Sequence, residues 1–399
     1  NELIEDGTDL IGSDDIDLLT GASTSLGAFV RSAASFVDVD REEVLEVLAL
    51  DALDGAVDGS IPASAEADEE MTDLAGTVND LQSLGSVDGE VTTFGSCSAT
   101  ADLFRRACEI DIMDDYFEGV AACQDGDEEE LEACVAEADE EREETLEECG
   151  EIFEARGELC DDIDDEVYEP EFGEEYADNF VDPREIGATV EPNLYLPLVI
   201  GNTWVYESTF IDEDSGEEVT ETTTIVVRNA TKRIQGIDCL VVNDVVEEDG
   251  EIIEDTDDWF AQDMAGNVWY CGEIAQDFEY FEGDEPETAE LVEVGGSWKA
   301  GREGAKAGVL VPADPEIGDV IRNEVFYGDA EDVIEVLSVT GDESTMVADC
   351  EEACLVVKEF TPLEPDTEEN TYYKPGVGVI LEVDMETGDR AELISFVSS

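Results

Sequence analysis

Between Ala99 and Val120, apolar or small residues fall at Ala101, Phe104, Cys108, Ile112, Tyr116 and Val120, the spacing of one helix face. Gln124-Asp125-Gly126-Asp127 reads as a turn. Glu128–Leu159 reads as a second long helix, with Leu131, Cys134, Ala138, Leu146, Cys149, Phe153 and Cys160 on or near one side. From Leu196 the pattern changes to β-branched residues alternating with polar ones, punctuated by glycine. Thr222–Val227, Cys239–Val246, Val268–Cys271, Val333–Val339, Leu355–Phe360 and Val377–Val383 read as strands, with turns at Asp249-Gly250 and Thr387-Gly388. Between the two regions an acidic run is followed by an aromatic at every fourth position: Tyr168, Phe172, Tyr176 and Phe180. Pro170, Gly173 and Pro183 break any long helix there, so this stretch reads as a strap pinned by its rings. Toward the start, Ser25–Val37 and Arg41–Leu53 read as short amphipathic helices, the second capped by Asp40.

These patterns predict an α+β multidomain chain: a small acidic helical region over 1–96, an antiparallel helical hairpin over 97–160, an aromatic-anchored linker over 161–194, and a β-rich domain over 195–399. That domain carries echoes of itself. Ile200-Gly201-Asn202-Thr203-Trp204 matches Ile317-Gly318-Asp319-Val320-Ile321, and Cys239-Leu240-Val241-Val242 matches Cys354-Leu355-Val356-Val357. Trp259-Phe260 matches Tyr372-Tyr373. The echoes predict a duplicated antiparallel module, a half-barrel or a sandwich.

Six of the ten cysteines fall in the hairpin region, at Cys97, Cys108, Cys123, Cys134, Cys149 and Cys160. Paired from the outside inward, they share one midpoint between Glu128 and Glu129. Eleven helical steps advance only about 20° beyond whole turns and fifteen about 60°, so the cysteines keep to one side of each helix. Partners eleven apart on one helix would lie about 16 Å apart, out of disulfide reach. The predicted rungs are therefore Cys97–Cys160, Cys108–Cys149 and Cys123–Cys134. With no histidine and no CxxC knuckle, zinc and c-type haem are not expected.

Charge changes the picture more than composition does. The chain of 399 residues carries 110 acidic residues against 17 basic ones. Such self-repulsion is relieved by screening salt or by divalent cations. Nucleic acid and anionic membranes, which need basic patches, are not expected partners. No apolar run is long enough to span a bilayer. The cysteines point to an oxidising, extracellular or cell-surface setting, and the start at Asn1 is read as a mature end left by signal removal.

Calcium is the candidate ligand. Asp54-Gly55-Ala56-Val57-Asp58-Gly59-Ser60-Ile61 resembles half an EF-hand loop, with Glu66 one place beyond the last ligand position. Asp212 and Asp214 before Gly216, and Asp255, Asp257 and Asp258 before Trp259, are the other carboxylate groups with suitable spacing. The structural alternative is a Gly-rich interhelical turn for the first and a solvated acidic loop for the other two.

Leu194–Tyr206, Gln262–Tyr270, Thr361–Pro365 and Tyr372–Gly378, together with the cysteine hairpin, resemble a family of uncharacterised secreted bacterial β-proteins over roughly 97–399. The resemblance implies an extracytoplasmic address and no nameable enzymatic role. Cys271 and Cys350 stand outside its pattern. That favours pairing them with each other and Cys239 with Cys354, with Cys350–Cys354 as the main rival.

The sequence excludes histidine-dependent triads, HExxH sites and Cys–His nucleophiles, and it shows no phosphate-binding loop. The leading expectation is a non-enzymatic structural protein, a self-assembling surface or filament subunit joined by strand addition and divalent cations. A second is a β half-barrel carrying a lipid or glycolipid, with Trp204, Trp259, Trp269 and Trp298 on its concave face. A carboxylate-dependent hydrolase is the third.

Overall fold

The computed structural model describes residues 96–123, 128–211, 216, 218–281, 283 and 288–399. The expected N-terminal helices, the Asp54, Asp58 and Glu66 loop, and Asp212 and Asp214 lie outside them. The chain divides into two compact units; among the described residues one holds Arg105–Gly150, and the other joins 96–104 to Glu151–Ser399.

Helices α1 (Cys97–Ala122) and α2 (Glu128–Asp162) form the hairpin. The disulfides are nested: Cys97–Cys160, Cys108–Cys149 and Cys123–Cys134, with Cα separations of 5.4, 6.2 and 5.7 Å. Within the first unit the Arg142 guanidinium lies 4.7 Å over the Tyr116 ring and pairs with Asp139. Gly119 stands opposite Ala138, and these small side chains let the helices approach.

The second unit is built on fifteen antiparallel strands: β1 (Thr203–Ile211), β2 (Glu218–Ile234), β3 (Ile237–Glu248), β4 (Glu251–Gln262), β5 (Val268–Ile274), β6 (Asp277–Glu279), β7 (Glu290–Glu293), β8 (Lys306–Val311), β9 (Val320–Arg322), β10 (Glu324–Val325), β11 (Val333–Gly341), β12 (Cys354–Thr361), β13 (Glu364–Lys374), β14 (Gly378–Asp384) and β15 (Arg390–Val397). They pair almost in chain order, as a meander, and β15 returns to pair with β1. The other join is short. β9 pairs with β11 and β10 pairs with β8, yet only Asn323 separates β9 from β10. The sheet thus curls into a nearly closed barrel rather than a sandwich.

The join depends on Gly308. A Cβ there would collide with the Asn323 carbonyl. Gly308→Ala is expected to cost about 1–3 kcal/mol by overpacking, read as a lower urea midpoint at unchanged slope.

The same backbone step precedes β1 and β9. The Gly201 N–H donates to Val227 O and the Val227 N–H to Asn202 O. The Gly318 N–H donates to Val336 O and the Val336 N–H to Asp319 O. Both glycines have φ above +90°, which glycine adopts without strain.

The four remaining cysteines pair otherwise than the resemblance implied: Cys239 with Cys271, and Cys350 with Cys354. Cys239 is the third residue of β3 and Cys354 the first of β12, with β2, β1, β15, β14 and β13 between them in the sheet. Cys239 and Cys271 have only β4 between them. A regular sheet would hold them about 9.6 Å apart; Cys271 is the extra residue of a bulge opposite Trp259 and Phe260, and its Cα lies 6.8 Å from that of Cys239. Cys350–Cys354 closes a tight loop in which Glu351 and Glu352 both take positive φ.

The linker aromatics act as pins. Phe172 is buried against Phe180 and Trp269, with ring centroids 5.4 and 6.0 Å away. The Tyr168 hydroxyl donates to Ala307 O at 2.8 Å. Sequence reading passed over the polar pin beside them: the Asn193 N–H donates to Gln262 Oε1, and Gln262 Nε2 donates to Glu191 O. Both side chains are buried, so each hydrogen bond spares a desolvated group.

Candidate functional site

Residues directly opposite one another in an antiparallel ladder share a face. Register therefore sorts the barrel wall. Leu240 faces Phe260, and Val242 faces Asp258. Asp258 faces Glu273, and Phe260 faces Tyr270. On the opposite wall Leu355 faces Tyr373, Val357 faces Thr371, Glu359 faces Glu369, and Thr371 faces Glu382. All these lie on one face. Asp244 on β3 still raises the proton affinity of Glu382 on β14, although three strands separate β3 from β14 along the sheet. Only the inside of a curled sheet brings them together.

Strands β2, β3, β4, β5, β12, β13 and β14 carry the same gradient. At one level the lumen is apolar and filled: Val227, Leu240, Val242, Leu355, Val357 and Ile380 are all buried. Tyr206, Tyr270 and Tyr373 follow, and beyond them the carboxyls Glu221, Asp244, Asp258, Glu273, Glu359, Glu369 and Glu382. The Tyr270 hydroxyl donates to Asp258 Oδ1 and lies 3.0 Å from Glu273 Oε2. The Tyr373 hydroxyl donates to Glu359 Oε1 at 3.2 Å, and that of Tyr206 to Val379 O at 3.1 Å.

Burial dominates the electrostatics. It pushes Asp244 up to about 8, with Asp258, Glu254, Glu221 and Glu273 adding repulsion. Glu382 rises to about 8 through burial and then Glu359, Glu369, Asp244 and Glu221. Glu359 rises to about 7 by burial, against the hydrogen bonds of Thr371 and Tyr373, which lower it. Asp258 reaches about 7 and Glu273 about 8. Burial, with Asp332, also raises Glu324 well above the carboxylate range. The lumen therefore holds protons at neutral pH, where exposed carboxyls have lost theirs. Three of its polar atoms remain buried without a hydrogen bond of ordinary geometry: Asp244 Oδ1, Thr371 Oγ1 beside Glu359, and Trp298 Nε1 beside Glu324.

The candidate cation loop at Asp255, Asp257 and Asp258 is part of strand β4 instead. Asp255 and Asp257 turn outward, where Asn243 Nδ2 donates to Asp255 Oδ1 at 2.7 Å and lies 3.4 Å from Asp257 Oδ1. Asp258 turns inward to Tyr270. The two-residue period of a strand splits the trio between faces. Among the described residues no group of three acidic or cysteine side chains is placed to hold a metal ion.

The four tryptophans do not share a concave face either. Trp204 is on the inner face, stacked on Phe396 at 5.4 Å with its N–H donated to Val377 O. Trp298 meets Tyr270 edge-on at 5.4 Å. Trp259 and Trp269 take the other face, beneath Lys232 and the linker phenylalanines respectively.

The fold defines a disulfide-bonded β-barrel protein with a stapled helical hairpin. No protein family matches the chain, and no curated protein matches it. Among solved structures, a beta-barrel-like protein of domain of unknown function DUF1849 from Brucella abortus is similar over 52% of this chain and 99% of that chain, at 13% identity and a TM-score of 0.29. Among the described residues no helix is long and apolar enough to cross a membrane. The five disulfides are consistent with an extracellular protein.

Proposed function

We propose that the barrel is an extracytoplasmic binding module whose lumen takes a small molecule bearing several ammonium groups, a polyamine or an amino-substituted sugar. One observation carries this reading: a ring of proton-holding carboxyls and tyrosine hydroxyls gathered on the inside of the barrel. A filled apolar level beneath it leaves little for the lipid tail that the half-barrel expectation invoked. Carboxyls strung along several strands suit a ligand with spread positive charges better than a single ion. Tyrosine faces add attraction for ammonium groups.

The paired backbone steps at Gly201 and Gly318 support the duplicated-module reading. So does the matched placement of Asp244 and Glu359, which follow Cys239 and Cys354 by the same number of residues. Filament growth by strand addition gains no support, because the main sheet's ends meet each other. Hydrolysis would need two carboxyls whose proton affinities are pushed apart. Asp258 and Glu273, the strongest pair, both shift upward, to about 7 and about 8.

The test is calorimetric titration of the folded chain with spermidine and, separately, with calcium chloride, at matched ionic strength and at pH 6 and 8. Spermidine is expected to bind more tightly at pH 8 and to release protons, seen as heats that depend on the buffer. Glu359→Gln with Glu382→Gln should weaken it at least about tenfold, or 1.4 kcal/mol. Two of 110 acids hardly alter the surface field, so an unchanged affinity in the double variant sinks the lumen as the site.

A further inference from the structure

Two arginines are buried among the described residues, Arg156 and Arg322. Arg156 has a carboxylate partner in Glu331. Arg322 has none. It ends β9 at the join, with 5% of its surface exposed. Its Nη2 lies 3.2 Å from Cys97 Sγ, and its Nε and Nη1 are buried without any hydrogen-bond partner. The Tyr327 ring lies 5.8 Å from the guanidinium carbon. The neighbouring Arg156–Glu331 pair is neutral as a whole and does not offset this charge. A guanidinium stays ionised in proteins, and an isolated buried charge costs far more than a sulfur contact and a ring face return. In a chain with 110 acidic residues, a buried cation that no described carboxylate meets is a place for a counter-ion from outside the chain.

We propose that Arg322 holds a small monovalent anion, chloride in a saline medium, beside the Cys97–Cys160 disulfide. The ion sits on Nε or Nη1, where a carboxylate side chain is missing. Because the anion binds the folded state and not the unfolded one, it stabilises the fold by mass action. Chloride then acts in two ways, as a general screen of the acidic surface and as a ligand of this one residue.

Thermal unfolding of the full chain in sodium chloride and in sodium gluconate, at equal ionic strength, separates the two. Chloride is expected to raise Tm by about 2–6 °C over gluconate, and Arg322→Met should abolish that difference. Equal Tm values in the two salts, or a difference that survives in Arg322→Met, would overturn the proposal. If Arg322→Met does not fold, crystals of the unaltered protein soaked in sodium bromide decide. An anomalous peak within hydrogen-bond distance of Arg322 supports the site. Water alone at that position refutes it.

Discussion

Arg156→Met is expected to remove about 3–5 kcal/mol of stability. Glu331 is fully buried, and its carboxylate is met by Arg156 through Nε at 2.9 Å and through Nη2. The Gly328 N–H donates to the same carboxylate at 2.7 Å. The guanidinium also covers the Phe104 ring at 5.4 Å, and Phe104 in turn meets Tyr327 at 5.1 Å. Removing the arginine leaves a desolvated carboxylate with one backbone donor. The cost is the penalty of that orphan more than the worth of the pair. Two further results follow. Arg156→Met with Glu331→Leu should recover most of the loss, since an apolar pair of similar volume carries no desolvation penalty. The single variant should also recover as pH falls toward 5, because an orphaned Glu331 gains a raised proton affinity in the folded state only. A single variant within about 1 kcal/mol of the parent in urea titration would mean that the pair is solvated.

Stability of the barrel is expected to fall as pH rises from about 6 to 9. The lumen carboxyls have folded-state affinities raised to about 7 for Asp258 and Glu359 and about 8 for Asp244, Glu273 and Glu382. In the unfolded chain they titrate near 4. Between those limits the folded state binds more protons than the unfolded one, so raising the pH favours unfolding. Their neutral forms are stabilised by burial, and that contribution is lost as pH climbs through the folded values. The exposed acids are already ionised by pH 6, so their mutual repulsion stays nearly constant across this window. Glu382→Gln should therefore be stabilising at pH 8, by about 1–2 kcal/mol, and nearly neutral at pH 5. Urea midpoints measured from pH 5 to 9 at fixed high salt check both statements. A flat profile in the parent would show that water reaches the lumen freely enough to hold these groups at ordinary values.

Much of this architecture was legible from residue pattern because it rests on local periodicity. The hairpin needed only the shared cysteine midpoint and helical phase. Long strands such as β3 and β12 declared themselves by alternation, and the linker by its fourfold aromatic spacing. Strand β4 did not. Glu251–Asp258 is rich in acids, which disfavour strands in isolation, and so Asp255, Asp257 and Asp258 read as a loop. In the barrel β4 is paired on both sides, which outweighs the weak intrinsic preference. Of the last four cysteines, Cys350–Cys354 was the rival reading, and the Cys239–Cys271 pair escaped because it follows sheet order and a bulge rather than spacing.

The sequence by itself determined the stapled hairpin and the change from helical to strand periodicity, both of them read within a few turns or strands. Only the tertiary structure decided which carboxyls are surface and which line the lumen. With 110 acids spread along the chain, no spacing distinguishes Asp257 from Asp258. A one-residue step reverses the face, and the closing of β15 onto β1 gathers Asp244, Glu359 and Glu382 from three strands. Their chemistry is a property of that curvature, since burial among one another raises their proton affinity, and burial exists only once the sheet has curled.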